Sequence, residues 1–349
     1  MTSKKNMFQE YIRSNDNETE GTDSSDSIKK EDLVVELTPE DQNNKPQIMK
    51  DEVNSVNKNE NHSNPTIEIS QEQDSDNSFS KNRIDIEFQT AASLLKERNQ
   101  MIKIPTGCKA FDKIIGGGIE PRSITEFYGA YTTGKTQMSI QLAFNTALPS
   151  KLGGLNGDVV YIDSEGSFRP ERIIQMANEF DIDPKIILDK ILIGRAHNSD
   201  IQMTLVDNVL ELSESKNIKL LVVDSLTAAF RAEYIGKGAL VDRQQKLNKH
   251  MRQLSRVADI LNIAVVVTNQ VSAVIDGFEN TVIPVGGNII AHGSTHRLHF
   301  KKSPKRPQIR VVDLVASPSY PEASAAFEIA QSGIRDVNFS SFVPRDENN

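Results

Sequence analysis

The chain has no Trp, one Cys and only 6% aromatic residues over its 349 positions. A single cysteine, Cys108, excludes an intrachain disulfide and points to a reducing compartment. Long hydrophobic runs are missing as well. No segment is long enough to span a bilayer, and Met1–Glu10 lacks the apolar centre of a signal peptide. The expectation is a soluble intracellular protein without a membrane partner. Glycine is scarce at one end: residues 1–80 hold only Gly21, and their aromatics are Phe8, Tyr11 and Phe79.

The same 80 residues carry 18 acidic and 8 basic side chains, whereas residues 81–349 carry 30 and 32. The net charge of −8 therefore belongs to the first segment, and the remainder is close to neutral. A stretch this polar cannot bury enough apolar surface to offset its ordering entropy, so residues 1–80 read as a disordered acidic tail. Within it, Leu33–Leu37 is a candidate docking segment or simply a transient apolar cluster. The near-neutral remainder leaves room for a local basic surface.

What is present is a phosphate-binding loop. Gly129-Ala130-Tyr131-Thr132-Thr133-Gly134-Lys135-Thr136 fits G-x-x-x-x-G-K-[ST]. Ile124–Tyr128 before it reads as a buried strand, and Gln137–Ala147 after it reads as a helix with Met138, Ile140, Leu142 and Ala143 at apolar positions. That context supplies backbone N–H groups around a polyphosphate. Lys135 is placed to reach the β- and γ-phosphates, and Thr136 to offer its hydroxyl to Mg²⁺.

Further strands and helices alternate along the chain. Val159–Asp163, Ile191–Gly194, Lys219–Asp224 and Ile263–Asn269 read as strands. Pro170–Phe180, a segment capped by Ser199-Asp200 and running to about Ser215, and Asp242–Leu261 read as helices. This pattern implies an α/β fold around a mainly parallel sheet. From His296 onward, Arg297–Phe300, Ile309–Leu314 and Ala325–Ile329 read as an antiparallel extension. Upstream, residues from Phe88 to Arg98 and from Phe111 to Ile115 show short helical patterns.

Ligands of such sheets bind beyond the C-terminal strand ends. Asp224 ends one strand, where a carboxylate can hold Mg²⁺ directly or through water. Glu165 lies just past another and could orient and deprotonate a water. Gln270 follows a third and could hydrogen-bond the same phosphate. Read alone, Glu165 and Gln270 fit strand-capping polar residues equally well. Two loops near that edge suit a polyanion. Phe230–Arg243 interleaves Arg231, Lys237 and Arg243 with glycines and Tyr234. Val271–Gly287 carries Ile275, Gly277, Gly286 and Gly287. Composition alone fits ordinary surface loops as well.

Six stretches in order, beyond the phosphate loop, carry a resemblance. They are Gly116–Glu120, Thr125–Gly129, Tyr161–Arg172, Asp242–His250, Val266–Gln270 and Gly286–His292. Over about residues 84–336 the chain resembles the archaeal RadA and eukaryotic-type recombinases of the RecA superfamily. The resemblance implies a RecA-like ATPase core using ATP and Mg²⁺, with Glu165, Lys135 and Gln270 as catalytic residues. Gln137 joins the nucleotide-binding residues, Arg172 stacks on adenine, and His292 senses the γ-phosphate of a neighbouring subunit. Gln270 couples ATP to the second DNA loop. Arg231, Tyr234, Lys237 and Arg243 fall in the first, Gly286 and Gly287 border the second, and Ile275 inserts into the strand.

The resemblance also makes Phe88-Gln89-Thr90-Ala91 a polymerisation motif, whose Phe and Ala fill pockets on the next subunit. Read from the residues alone, Phe88 and Ala91 belong to the core of a short helix. The implied layout is an acidic tail (1–80), a linker with that motif (81–100) and the ATPase core (101–349). The implied function is a helical filament on single-stranded DNA that pairs it with homologous duplex. The alternative is a paralogue that loads another recombinase. Mediator proteins could reach the acidic tail. The location is cytoplasmic and nucleoid-associated in a prokaryotic or archaeal host, nuclear in a eukaryotic one.

Two departures stand out. The family's N-terminal helix-hairpin-helix domain needs glycine turns, and residues 1–80 are not expected to form it. The family also commonly has Asp before a Ser-Pro pair, capping ATP across the interface. Here that position is Ala316. Asp313 is expected to point to the opposite face of its strand.

Overall fold

The computed structural model describes residues 88–337 apart from 277, 278, 305 and 307. The acidic tail, and with it the questions of its disorder and of the helix-hairpin-helix domain, lies outside the described residues. So do residues 81–87 of the linker.

The centre is a nine-stranded sheet. Its strands are β1 (Ser123–Gly129), β2 (Asp158–Asp163), β3 (Ile191–Arg195), β4 (Ile218–Asp224), β5 (Ala264–Asn269), β8 (His296–Lys302), β9 (Ile309–Ala316), β10 (Ala323–Ala330) and β11 (Gly333–Asp336). Their order is β11-β10-β9-β8-β1-β5-β4-β2-β3. From β8 to β3 every pairing is parallel. From β8 to β11 every pairing is antiparallel. The expected C-terminal extension is therefore present with one correction: β8 lies parallel to β1 and widens the parallel sheet. Strand β11 was not anticipated.

Apolar residues alternate along each central strand and feed two cores, as the two-residue period of a strand requires. Val159, Tyr161, Leu220, Val222, Ala264 and Val266 face one layer. Val160, Ile162, Leu221, Val223, Val265 and Val267 face the other. The first layer is covered by α2 (Lys109–Ile114), α3 (Lys135–Ala147), α4 (Pro170–Glu179) and α5 (Pro184–Leu188). The second is covered by α6 (Ser199–Leu212), α7 (Ala228–Glu233), α8 (Leu240–Leu261) and α9 (Gly287–Gly293). In the first core, Phe300 meets Phe111, Phe127 and Phe327 at ring separations of 4.9–6.0 Å. Helix α1 (Ala91–Asn99) buries none of its residues. It is tied to the core by Arg98–Glu120 and Glu97–Arg122 ion pairs.

Several local expectations need correction. Helix α6 is capped by Asn198, whose side chain accepts from the Ile201 N–H at 2.7 Å. Ser199 is instead buried against Glu233. Helix α5 was missed, although Asp183-Pro184 is a sound start signal: Asp183 accepts from the Lys185 N–H and Pro184 opens the helix. The stretch 230–243 is mostly not a loop. Arg231 lies on α7, Lys237 in a short 3-10 turn and Arg243 in the first turn of α8. The stretch 271–287 is not a loop either. It forms an antiparallel ribbon, β6 (Val271–Asp276) with β7 (Glu279–Pro284), that runs into α9. Phe88 is 98% exposed and Ala91 is exposed, so neither is a core residue.

Among the described residues no helix is long and apolar enough to cross a membrane.

His250 of α8 is fully buried against Phe230, and burial pushes its pKa down to about 4, opposed in part by Gln253. An imidazole that folds neutral gives up stability as the unfolded chain begins to take up its proton. Stability is expected to hold above about pH 6.5 and to fall towards pH 4, by up to about 3 kcal/mol from this residue. Urea denaturation between pH 4 and 8 checks this, and His250→Phe should flatten the slope.

Candidate nucleotide and nucleic-acid site

Strand β1 delivers the phosphate loop to the sheet edge. Gly129 sits at φ +154°, and a Cβ there would stand 2.3 Å from the Phe300 carbonyl oxygen. Gly134, at φ +107°, starts α3. Only glycine meets both demands without strain, which leaves the loop backbone turned into the cavity. That cavity holds about 530 Å³ and is lined by Gly129, Tyr131, Thr132, Thr133, Gly134, Lys135 and Thr136 of the motif and by Gln137 just after it. Ala130 contributes its carbonyl instead. The Lys135 amine donates to the carbonyls of Gly129 and Ala130 at 2.9 Å each. Burial lowers the Lys135 pKa, and Asp224 and Glu165 oppose that shift.

The other strand ends meet the loop across the cavity. Asp224 is buried and held in place by donors: Tyr161 at 2.7 Å, Ser167 at 3.3 Å and Thr268. Glu165 Oε1 accepts from Ser225 Oγ at 2.7 Å and from Gln270 Nε2 at 2.8 Å. Gln270 Oε1 in turn accepts from Arg231 Nη1 at 3.3 Å. Glu165, Gln270 and Arg231, singled out separately in the sequence, thus form one hydrogen-bonded path. Asp163 supports it from below. Its Oδ1 accepts from the N–H groups of Glu165, Gly166 and Ser167, and its Oδ2 from Phe168 N–H and Arg195.

The donor set suits a nucleotide with Mg²⁺. Among the described residues no cluster of three His, Cys, Asp or Glu could cage a metal. One hydroxyl (Thr136) and one fixed carboxylate (Asp224) beside a polyphosphate cradle match the way Mg²⁺ is usually shared between protein and phosphates.

Other expected residues fall elsewhere. Arg172 does not line the cavity: its guanidinium donates to the carbonyls of Ala330 and Gln331 at the end of β10. His292 is exposed on α9, also away from this cavity. Tyr234 lies under the Lys246 amine, 5.5 Å from the ring centre. Arg243 is half-buried. Gly286 and Gly287 form the start of α9, at φ +90° and +56°. Ile275 pairs with Asn280 across the ribbon; its side chain and that of Lys237 lie outside the described residues.

Sequence reasoning missed Ser167, Ser225, Thr268, Val271, Arg310 and Ile329, which also line the cavity. Ser167 and Ser225 adjoin motifs already noted. Arg310 and Ile329 arrive from β9 and β10, and nothing local marks them. Ala316 ends β9 exposed, paired with Arg297. Asp313 is engaged by Lys301 at 2.5 Å and Ser324 at 2.6 Å.

Removing Asp163 leaves four N–H groups and an arginine without their acceptor. Asp163→Ala is expected to cost about 3–5 kcal/mol in chemical denaturation. Arg195→Ala, with its side chain 46% exposed, is expected to cost about 1 kcal/mol or less.

Comparison with known proteins agrees with this geometry. Residues 97–337 match the family model described as Rad51. The chain is 41% identical over 252 residues to a protein of Cenarchaeum symbiosum (strain A) named DNA repair and recombination protein RadA. That similarity covers 72% of this chain and 63% of the archaeal protein. The phosphate loop, the two strand-end carboxylates and a family match over all but the first nine described residues agree: the chain belongs to the Rad51 family of RecA-like proteins.

Proposed function

We propose that this chain is a DNA-dependent ATPase that polymerises on single-stranded DNA and promotes homologous pairing and strand exchange. The observation that supports it most is the unbroken path from the cavity to Arg231 on helix α7, through Glu165 and Gln270. Arg231, linked through Gln270 to the carboxylate proposed as the base, gives a bound polyanion a short route to the nucleotide cavity.

Lys135 and the loop N–H groups would hold the phosphates, and Thr136 and Asp224 the cation. When bound, ATP·Mg²⁺ supplies the scissile phosphoryl group and a positive charge against which negative charge can build. Glu165 Oε1 is taken up by Ser225 and Gln270, which leaves Oε2 to orient a water and accept its proton. The rest of the rate enhancement is positioning and electrostatics. Hydrolysis would drive release from DNA, not pairing.

Polymerisation has a candidate seat. Val160, Ile162, Leu192, Ile193, Leu205 and Leu212 line an open apolar pocket of about 360 Å³ beside edge strand β3. The exposed Phe88 and Ala91 of a second copy fit its chemistry. One such head-to-tail contact, repeated, builds an open helix.

Joint-molecule formation between a labelled single strand and homologous supercoiled duplex, with ATP and Mg²⁺, tests the function. Products that require homology and vanish with Lys135→Ala are expected. The loading-factor reading draws support from Ala316, where an interface carboxylate is missing. Single-strand binding and ATP turnover without joint molecules would favour it. Ala316→Asp is expected to raise the cation dependence of turnover, read by phosphate release across a salt titration. Unchanged dependence would remove the interface-cap argument.

A further inference from the structure

Asn269, the last residue of β5, is fully buried at the foot of both candidate DNA elements. Its Nδ2 donates to Glu126 Oε1 at 2.8 Å and to the Val285 carbonyl at 2.7 Å. Its Oδ1 accepts from Thr227 Oγ1 at 3.0 Å. Each partner begins or ends something that matters. Thr227 is the residue before α7, which carries Arg231. Val285 follows the β6–β7 ribbon, and its N–H donates to the Gln270 carbonyl at 3.0 Å, closing the ribbon's base. Glu126 lies on β1 three residues before the phosphate loop and is fully buried. Its other oxygen accepts from Arg297 Nε at 2.7 Å.

The chemistry is selective. Two donors and an acceptor on one short side chain describe a carboxamide. Aspartate would bring a like charge against Glu126 and lose both donors. A hydroxyl could serve one partner as donor, not two. The next residue, Gln270, projects to the other side of the chain and holds Glu165. Two adjacent amides therefore do two jobs at one strand end: Gln270 holds the carboxylate, and Asn269 fixes the roots of the segments on either side of it.

We infer that Asn269 is a positioning residue that locks helix α7 and the β6–β7 ribbon to each other and to β1, so that the two segments respond to DNA as one unit. The joint is the set of three hydrogen bonds made by Asn269. Its use in DNA binding rests on the function proposed above.

The test uses the full-length protein with Thr227→Val, which removes the hydroxyl donor at nearly constant shape. Thr227→Ala removes the same donor by truncation and serves if the added methyl group prevents folding. Thr227→Ser keeps the donor and should rescue. Amide hydrogen exchange on the nucleotide-free protein reads the joint. Faster exchange is expected in residues 271–286, far from the substitution in sequence, as well as in 226–236. Exchange in β2 and β4 should stay at the wild-type rate. A rise confined to 226–236, or one spread evenly over the whole sheet, overturns the inference.

Fluorescence anisotropy of a labelled single strand reads the consequence. The ratio of affinities with and without ATP is expected to fall about fivefold or more in Thr227→Val. An unchanged ratio, with wild type showing ATP-dependent binding, overturns the coupling. Wild type that binds no DNA overturns the proposed function instead, and the exchange experiment still decides the joint.

Discussion

The carboxylate of Glu165 cannot hold its place alone: it sits exposed on a short turn beyond β2. Hydrogen bonds from Ser225 and Gln270 fix it, and these come from the ends of β4 and β5. The alignment of those three strand ends therefore decides whether the site exists. Parallel pairing of β2 with β4 and of β4 with β5 sets that alignment, and Asp163 and Asp224 are buried beneath it, each accepting several hydrogen bonds. Burying carboxylates is costly unless they are hydrogen-bonded, so the donors are a condition of the fold as much as of the chemistry.

Under the proposed function, the same edge lets one sheet serve two ligands. The phosphate loop leaves β1 on one side, and Arg231 and the ribbon leave β4 and β5 on the other. Asn269 and Gln270 stand between them. The ribbon's base, at Val285, is hydrogen-bonded to the carbonyl of Gln270, whose side chain holds Glu165. The coupling proposed above needs no long pathway: two adjacent side chains and one strand end supply a contiguous physical connection.

How much of this was legible in the sequence follows from how local each feature is. The phosphate loop is a spacing of eight residues in a strand-loop-helix context, and it stands where it was expected. Asp224, Glu165 and Gln270 were visible because each follows an apolar run that can only be a buried strand. Arg310 and Ile329 were not, because strands β9 and β10 bring them to the cavity from far along the chain. The ribbon read as a loop because its glycine and its short, mixed strands carry no sustained period-two alternation of apolar and polar residues. Ser199 and Asn198 are both good helix caps, and the contact of Ser199 with Glu233, 34 residues away, settled the choice. Asn269 looked like one polar residue ending a strand. Its three partners lie on three other segments, and no local pattern announces them.

The central claim is that nucleotide chemistry and nucleic-acid binding share one hydrogen-bonded edge. Steady-state phosphate release by the wild-type protein, with and without saturating single-stranded DNA, tests it most directly. The account requires that the DNA accelerate release, by about fivefold or more. Equal rates in both conditions, with DNA demonstrably bound, would contradict it.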